Sequence, residues 1–576
     1  MPLMGSLYVG TSGLQTSQNA LNTTAHNLSN TDTTGYTRQQ VQLSARRYVT
    51  LSINPKAVNN KQVGSGVNYS RAKQVRDYFL DKTYRKESGR SMFYEVSTEV
   101  LEEVESQLGE MNGEAFQTTI TDLWTAIQEL AKDPASAVTQ GLLVQRISEF
   151  VERAGAVYDG LSSFQDNLNT QILQQVKKIN QYGQQILALN DSIRAIEAGG
   201  IEHANDLRDY RNQILDELAQ MVNIRYDEDI NGNVWVQIEG VDFVRGDTCY
   251  EIDLDVDAST GFYTPFWPQN ASYRILADGT KDYIIDGAEV FNFNREISSD
   301  LDTDIGGLKA MLLARGDHRA DYTDLQDKDA YDKISQSIMM NVQAEFDQLI
   351  HNVATKLNEI IAEAAGVKQG SLTLKDGTVL TDVRYCESDP GGYLRKSDGS
   401  PIQLFAKVTT EGYTKVIGDD DKEYWIYNEE DPAHPDSLYT VKNLTVDPEL
   451  MQQPSMLGFR LPDGSEDEEL MEKLKAAFTE EEYYLNPNVL KKTTFVDYYM
   501  DLVNQIGSSA WVYRSIYQNQ ETTVEATFSA REQVVGVSTD EELSNMIKFQ
   551  NAYNASSRYI NVVSEMLEHI ISTLGV

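Results

Sequence analysis

The residues able to catalyse or to bind a metal are histidine, cysteine and clustered carboxylates, and their spacing in this chain points away from both roles. The six histidines, His26, His203, His318, His351, His434 and His569, are dispersed, with no H-x-x-x-H or comparable ligand spacing. No G-x-S-x-G, no P-loop and no G-x-G-x-x-G before a helix occurs; Gly64-Ser65-Gly66 lacks both the third glycine and the helix. Asp227-Glu228-Asp229-Ile230-Asn231-Gly232 imitates the start of a calcium loop, but the twelfth position is Ile238, where a bidentate Glu is needed. Asn231-Gly232 between alternating residues reads instead as a hairpin turn. The acidic runs Asp419–Asp421 and Glu466–Glu469 read as solvated surface. Cys249 and Cys386 fall in different expected domains and read as two free, mostly buried thiols, with neither a disulfide nor a metal site between them. The expectation is a protein with no catalytic residue, no metal and no cofactor, hence not an enzyme.

With no reacting site to position, the elements must serve shape and association. A chain of 576 residues exceeds one core, and the usual domain size gives about three to five domains. A formal net charge of −39 argues against phosphate-mediated binding of nucleic acid, which needs clustered Lys and Arg, and against an anionic membrane surface. Mean hydropathy is −0.44, and no apolar run approaches the roughly 20 residues that span a bilayer, so no membrane insertion is expected. The N-terminus lacks the basic, apolar and small-residue segments of a secretory signal.

Taken in order, the chain has a nested plan. Residues 1–40 begin with one apolar seam, Leu7, Leu14, Leu21 and Leu28, with small or polar residues between (Gly10 or Thr11, Ser17 or Gln18, Thr24 or Ala25), and no charged side chain before Asp32. The run Thr31–Tyr36 has the Asp, Thr and Gly chemistry of a turn. Residues 41–90 read as short strands or an extended connector, broken by Pro55 and Gly64-Ser65-Gly66. Residues 91–222 read as helical, interrupted at Asp133-Pro134. The longest helix starts between Ala135 and Leu161 and runs to Glu197, with Leu168, Ile172, Ile179, Ile186 and Ile193 on its seam. Residues 223–303 alternate around Val234, Val236 and Ile238 and form a first β-rich insertion. Helical periodicity returns over 304–365 and over 487–540, separated by a second β-rich insertion at 366–486 with one short helix near Glu468–Ala477. The expected fold class is multidomain α + β. It has a discontinuous helical-bundle domain, two β-rich inserted domains and a terminal coiled coil built from both chain ends.

That coiled coil follows from the last residues. Met546, Tyr553, Ile560, Leu567 and Leu574 recur every seven residues, and Phe549, Ser556, Val563 and Ile570 follow each by three. The seam spans four heptads, about 43 Å of helix. Between Phe549 and Ser564 the only charge is Arg558, so residues 541–576 share the uncharged character of the first helix. Two such seams at opposite chain ends most simply pair with each other. The expected assembly interface is Leu7, Leu14, Leu21 and Leu28 with Met546, Phe549, Tyr553, Ile560, Val563, Leu567, Ile570 and Leu574.

The same ends carry a resemblance. Ala25-His26-Asn27-Leu28-Ser29-Asn30 through Thr33-Thr34-Gly35-Tyr36-Thr37-Arg38-Gln39 resembles the N-terminal signature of the flagellar rod, hook and hook-associated protein family, in Asn27, Leu28, Asn30, Gly35, Tyr36 and Arg38. Gly536-Val537 through Asp540–Leu543, then Ile547–Ala555, resembles its C-terminal signature, in Phe549, Gln550, Ala552 and Tyr553. In the middle, Asn205–Leu218, Asp133-Pro134 and Ile305–Leu308 look like the helical domain of the hook-associated protein 1 branch. The family often has Pro where Thr34 stands and Asn where Asp32 stands, changes the turn tolerates.

The resemblance implies a structural subunit, exported unfolded by the flagellar type III apparatus and assembling as a ring of identical copies between hook and filament. It implies hook protein below, hook-associated protein 3 above, and an export chaperone on the C-terminal helix. The implied location is extracellular, on the flagellum, after a cytoplasmic stage. The lone terminal helices bury too little apolar surface to order themselves, so they are expected to be disordered in the free chain and to fold on assembly. Their lack of charge suits close packing of identical copies around an axis and a neutral lining for a channel. Other readings are a sibling axial protein, an adhesin acting through 366–486, and a wall hydrolase carried on the flagellum.

Overall fold

The chain opens with a helix that ends in a turn and doubles back as a two-stranded arm. In this computed structural model, which describes residues 3–52, 61–108, 116–199, 203–276, 280–461 and 463–574, helix α1 covers Leu3–Ser29. After the turn, β1 (Gln39–Ala45) pairs antiparallel with β4 (Val67–Gln74), and β2 (Val49–Ser52) with β3 (Lys61–Val63). The expected breaker Pro55 lies outside the described residues. The connector ends sooner than its expected limit at 90. Helix α2 begins at Tyr78, where the Asp77 side chain caps the free N–H groups of Phe79 and Leu80.

α2 (Tyr78–Gln107), α3 (Phe116–Leu130), α4 (Ala137–Glu197) and α5 (Asn205–Met221) follow. Ser136 caps α4, accepting from the Val138 N–H just after the Asp133-Pro134 break. With 61 residues α4 is about 92 Å long, too long for one core. Its first half packs Leu143, Ile147, Phe150 and Leu161 into the main core with α2 and α3. Its second half puts Ile172, Val176, Ile179 and Ile186 into a different core, shared with α5 and the first insertion. The helical segment 91–222 is thus divided between two cores.

The first insertion holds a four-stranded antiparallel meander, β5 (Ile224–Glu228), β6 (Val234–Ile238), β7 (Val241–Arg245) and β8 (Thr248–Cys249). Two further hairpins follow, β9 (Asp253–Val256) with β10 (Tyr263–Phe266) and β11 (Ser272–Ile275) with β12 (Lys281–Ile284). Val234, Val236 and Ile238 are buried while Trp235 and Gln237 are half-buried, so the alternation sets which face meets α4. The calcium-like run is the β5–β6 turn. Asp229 accepts the N–H groups of Asn231 and Asn233, and Gly232 takes φ +86°.

α6 (Gly307–Arg315), α7 (Lys328–Ile334) and α8 (Ile338–Ala364) return to the bundle, with α8 buried along most of its length. In the second insertion, β13 (Lys368–Thr373), β14 (Val379–Glu387), β16 (Tyr413–Ile417) and β17 (Glu423–Tyr427) form a four-stranded sheet ordered β13-β14-β17-β16. The remainder includes β15 (Phe405–Lys407), β18 (Leu444–Val446), α9 (Pro448–Gln452) and α10 (Glu468–Thr479). It inserts Phe405, Tyr439, Leu450, Phe459 and Leu474 into the main core, so this stretch clads the bundle. α11 (Phe495–Val535) runs back along α2, and α12 (Thr539–Leu574) closes the chain. Among the described residues no helix is long and apolar enough to cross a membrane.

Candidate assembly interface

The two chain ends meet as an antiparallel pair of helices. Gly10 faces Tyr559 and Ile560, and Gly13 faces Ser556, so advancing along α1 means retreating along α12. The closest line of approach is not the leucines. Ser6, Gly10, Ser17, Ala20, Thr24 and Asn27 are buried, three, four or seven residues apart, while Leu7, Leu14, Leu21 and Leu28 are half-buried beside them. Small residues win this position because a Cβ at Gly10 would stand 2.7 Å from Ile560 and 3.0 Å from Tyr559, inside contact distance. Their hydroxyls are satisfied within the helix: Ser17 donates to the Gly13 carbonyl at 2.8 Å and Thr16 to that of Ser12 at 2.6 Å.

On α12, Met546, Phe549, Tyr553, Ile560 and Leu567 are half-buried and Val563 is buried. Ile570 is exposed. By the register above, the described part of α1 ends opposite Leu567, so no described residue of α1 lies opposite Ile570. The side chain of Leu574 lies outside the described residues. Gln550 and Ala552 are exposed on the outward side.

The N-terminal signature residues build the turn that anchors this pair. Asn27 is fully buried; its side chain donates to the Gln39 carbonyl at 2.9 Å and accepts from the Gln39 N–H at 3.0 Å and the Tyr36 hydroxyl at 2.7 Å. It therefore stitches helix, turn and arm together. Asn30 accepts from the Thr33 hydroxyl at 3.1 Å, and Gly35 adopts φ +78°, where a Cβ would be strained. Arg38 donates its backbone N–H to the Val535 carbonyl at 2.9 Å, and its guanidinium pairs with Glu541 at 2.7 Å and Glu542 at 3.0 Å. The first residues after α1 are thus tied to the end of α11 and the start of α12.

Behind the turn lies a buried ionic hub that the sequence pattern did not single out. Arg76 pairs with Asp81 at 2.9 Å, and Arg531 of α11 pairs with Asp81 at 2.9 Å and with Asp216 of α5 at 2.8 Å. Arg85, only 2% exposed, holds Asp216 at 2.6 Å and donates to Asn212. Asp209 accepts from the Thr37 N–H at 3.2 Å and from Gln74 at 2.7 Å. Burial pushes its carboxyl up to about 6, against the pull of those hydrogen bonds. The motif Asn205–Leu218 is therefore the plate on which this junction is mounted. Its polar side takes the turn, α2 and α11, and its Ile214, Leu215 and Leu218 enter the second core. Arg211, buried on the same helix, donates to Asn190 at 2.8 Å and to the Gly232 carbonyl at 2.7 Å, fastening the plate to α4 and the β5–β6 turn.

The residues with reactive chemistry are placed elsewhere. His318 bridges Asp317 and Asp324, whose hydrogen bonds raise it to about 10; His351 is half-buried and stacks face to face with Tyr322. Cys249 packs on Gly183 and Phe243, and Cys386 lies with Tyr413 and Trp425 in a separate small core. Asp467 caps α10 and Asp420 caps the β16–β17 turn. Among the described residues no group of three or more His, Cys, Asp or Glu is placed to hold a metal ion.

Comparison with known proteins matches this layout. Residues 101–373 match the family described as flagellar hook-associated protein FlgK helical domain. Residues 7–37 match the flagella basal body rod protein family, and residues 533–573 the flagellar basal body rod FlgEFG protein C-terminal family. Flagellar hook-associated protein 1 of Bacillus subtilis is 24% identical over 564 residues, covering 98% of this chain and 97% of that protein. The protein of the same name from Salmonella typhimurium is 22% identical over 581 residues, covering 97% and 98%. A solved structure, the flagellar hook junction protein FlgK from Burkholderia pseudomallei, aligns at 13% identity with a TM-score of 0.48, covering 80% of this chain and 100% of that one. The FlgK helical-domain family is thus matched between two rod-family end segments, and relatives of one name, flagellar hook-associated protein 1, align along nearly the whole length of this chain.

Proposed function

We propose that the chain is a structural subunit of the bacterial flagellum that forms the junction between hook and filament. The observation that carries this reading is the antiparallel α1–α12 pair, made from opposite chain ends and unfinished on its outer side. Leu543, Ile547, Val562 and Met566 of α12 are exposed, apolar side chains that need a cover. Copies of the same chain, arranged as a ring, supply it. The near absence of charge over residues 1–31 and 549–564 lets identical helices crowd around one axis without like-charge repulsion, and leaves a neutral lining for later subunits to pass.

In this reading the chain leaves the cytoplasm unfolded through the flagellar export apparatus, with α12 as the segment an export chaperone shields. It then docks on hook protein below and receives hook-associated protein 3 above. The chain has a structural role and no catalytic one. Deletion of the gene tests the reading: hooks should form without filaments, with flagellin lost to the medium. Filaments of normal length on the deletion strain would sink it.

A further inference from the structure

The overall acidity conceals one stretch of opposite sign. Residues 38–76 hold eight Lys and Arg and no Asp or Glu, in a chain of formal net charge −39. Arg38 and Arg76 are spent inside the fold, on Glu541 and Glu542 and on Asp81. Arg46, Arg47, Arg71 and Lys73 stand on the β1–β4 arm and its rim, and among the described residues none pairs with a carboxylate. Arg71 donates only to Gln42, its neighbour across the arm. Leu43, Tyr48 and Val49 are exposed beside them, at 50%, 65% and 55%. The arm therefore presents cations interleaved with apolar side chains, a surface composed for docking.

A second surface has the complementary excess. On the α2–α11 face, Glu95 and Glu99 stand one turn apart, as do Glu521 and Glu525, and among the described residues none of the four forms an ion pair. Burial, then the charges of Glu99 and Glu521, raise the Glu95 carboxyl. Carboxylates at this spacing repel and destabilise their helices unless something neutralises them.

The arm does not do so within one copy. It runs along α1 away from the junction, with Gly66 resting on Val9 and Ser12. Arg46, which bonds Gly66, thus lies about 22 Å along α1 from Asn27. Glu95 lies about 27 Å along α2 from its cap, and α1 and α2 do not pack along each other.

We propose that the basic arm of one copy docks on the acidic α2–α11 face of the next copy. This rests on the ring reading above and names its lateral contact. Two different patches of one chain make a head-to-tail interface, which repeats from copy to copy and closes when the rotation allows. Opposite charge steers the encounter and sets its register, and a like-charged neighbour in the wrong register is rejected. A second copy is the occupant because both halves of the complementary pair are carried by this chain.

The test uses the full chain in cells lacking the native gene. Arg46→Glu with Arg47→Glu is one variant, Glu99→Lys with Glu521→Lys another, and all four changes together a third. Each reversed pair is expected to be exported while its retention on isolated hooks falls about tenfold, and the combined variant to regain most of it. Independently, Arg47→Cys with Glu99→Cys in a Cys249→Ala, Cys386→Ala chain is treated with a short thiol cross-linker on intact flagella. A ladder of covalent multimers of this chain is expected. Monomer alone, or an adduct with a different protein, overturns the proposal. So does undiminished retention of the reversed variants; in that case the junction reading still stands or falls on the gene deletion alone.

Discussion

At the scale of single residues, the determining choices are small side chains and buried charges. Gly10 lets the terminal helices approach by having no side chain, and Asn27, on the helix, bonds to turn and arm at once. Buried acids elsewhere leave a pH signature. Glu345 of α8 is fully buried, accepts from Asn486 at 2.8 Å and from Gln505 at 3.0 Å, and has its carboxyl pushed up to about 7 by burial. A carboxyl raised above its unfolded value binds its proton more tightly when folded. Its contribution favours folding at low pH and is lost as pH rises toward 7. Glu345→Gln, which keeps the shape and stays neutral, is expected to be more stable than the parent by about 1–3 kcal/mol at pH 8 and equal to it near pH 4.5. Denaturant unfolding at the two pH values measures this. A gain that does not change with pH would refute the assignment.

At the scale of elements, the α1–α12 pair is a close approach of backbones set by small residues, on which heptad leucines form the flank. A β-branched side chain at Gly10 would overpack that approach, which in cores costs about 1–3 kcal/mol. Gly10→Val is therefore expected to be exported but lost from hook ends, and Gly10→Ala to show a milder defect; full retention of Gly10→Val would mean the pair opens in the assembly. The outward faces are a separate matter. Gln18 and Gln550 are exposed, one on each helix. Gln18→Glu with Gln550→Glu leaves the pair intact yet places two charges per copy around the axis. Blocked assembly or export is expected, and normal motility would count against a crowded, charge-free lining.

At the scale of the whole molecule, the junction hub makes the arm, α2, α5 and α11 one mechanical unit, with two cores behind it along the length of α4. The terminal pair projects from that unit and packs on itself and the arm. We expect hydrogen exchange on the free chain to be fast over residues 3–35 and 540–574 and slow in the two cores, with protection of both ends appearing only in assembled flagella. Strong protection of α12 in the free chain would show that the pair needs no neighbours.

Much of this plan was legible in the residues. The seams at 7–28 and 546–567 announced a partnership across more than five hundred positions, because heptad spacing is a local property that survives any separation in the chain. The Ala137–Glu197 helix, the Asp229–Asn233 turn and the central β-rich regions were equally readable, since caps, prolines and alternation act within a few residues. What the tertiary structure alone decided is which faces meet. Only the antiparallel register shows that glycine and serine, not leucine, lie at the closest approach, and only the packing shows that Ile570 stays exposed. Only the folded chain brings Asp81, Asp209, Asp216 and Arg531 together, because no periodicity marks charges drawn from three distant segments. And only the packing shows that most of residues 388–486 clads the main core, since burial depends on what lies opposite, which the local pattern of a segment does not contain.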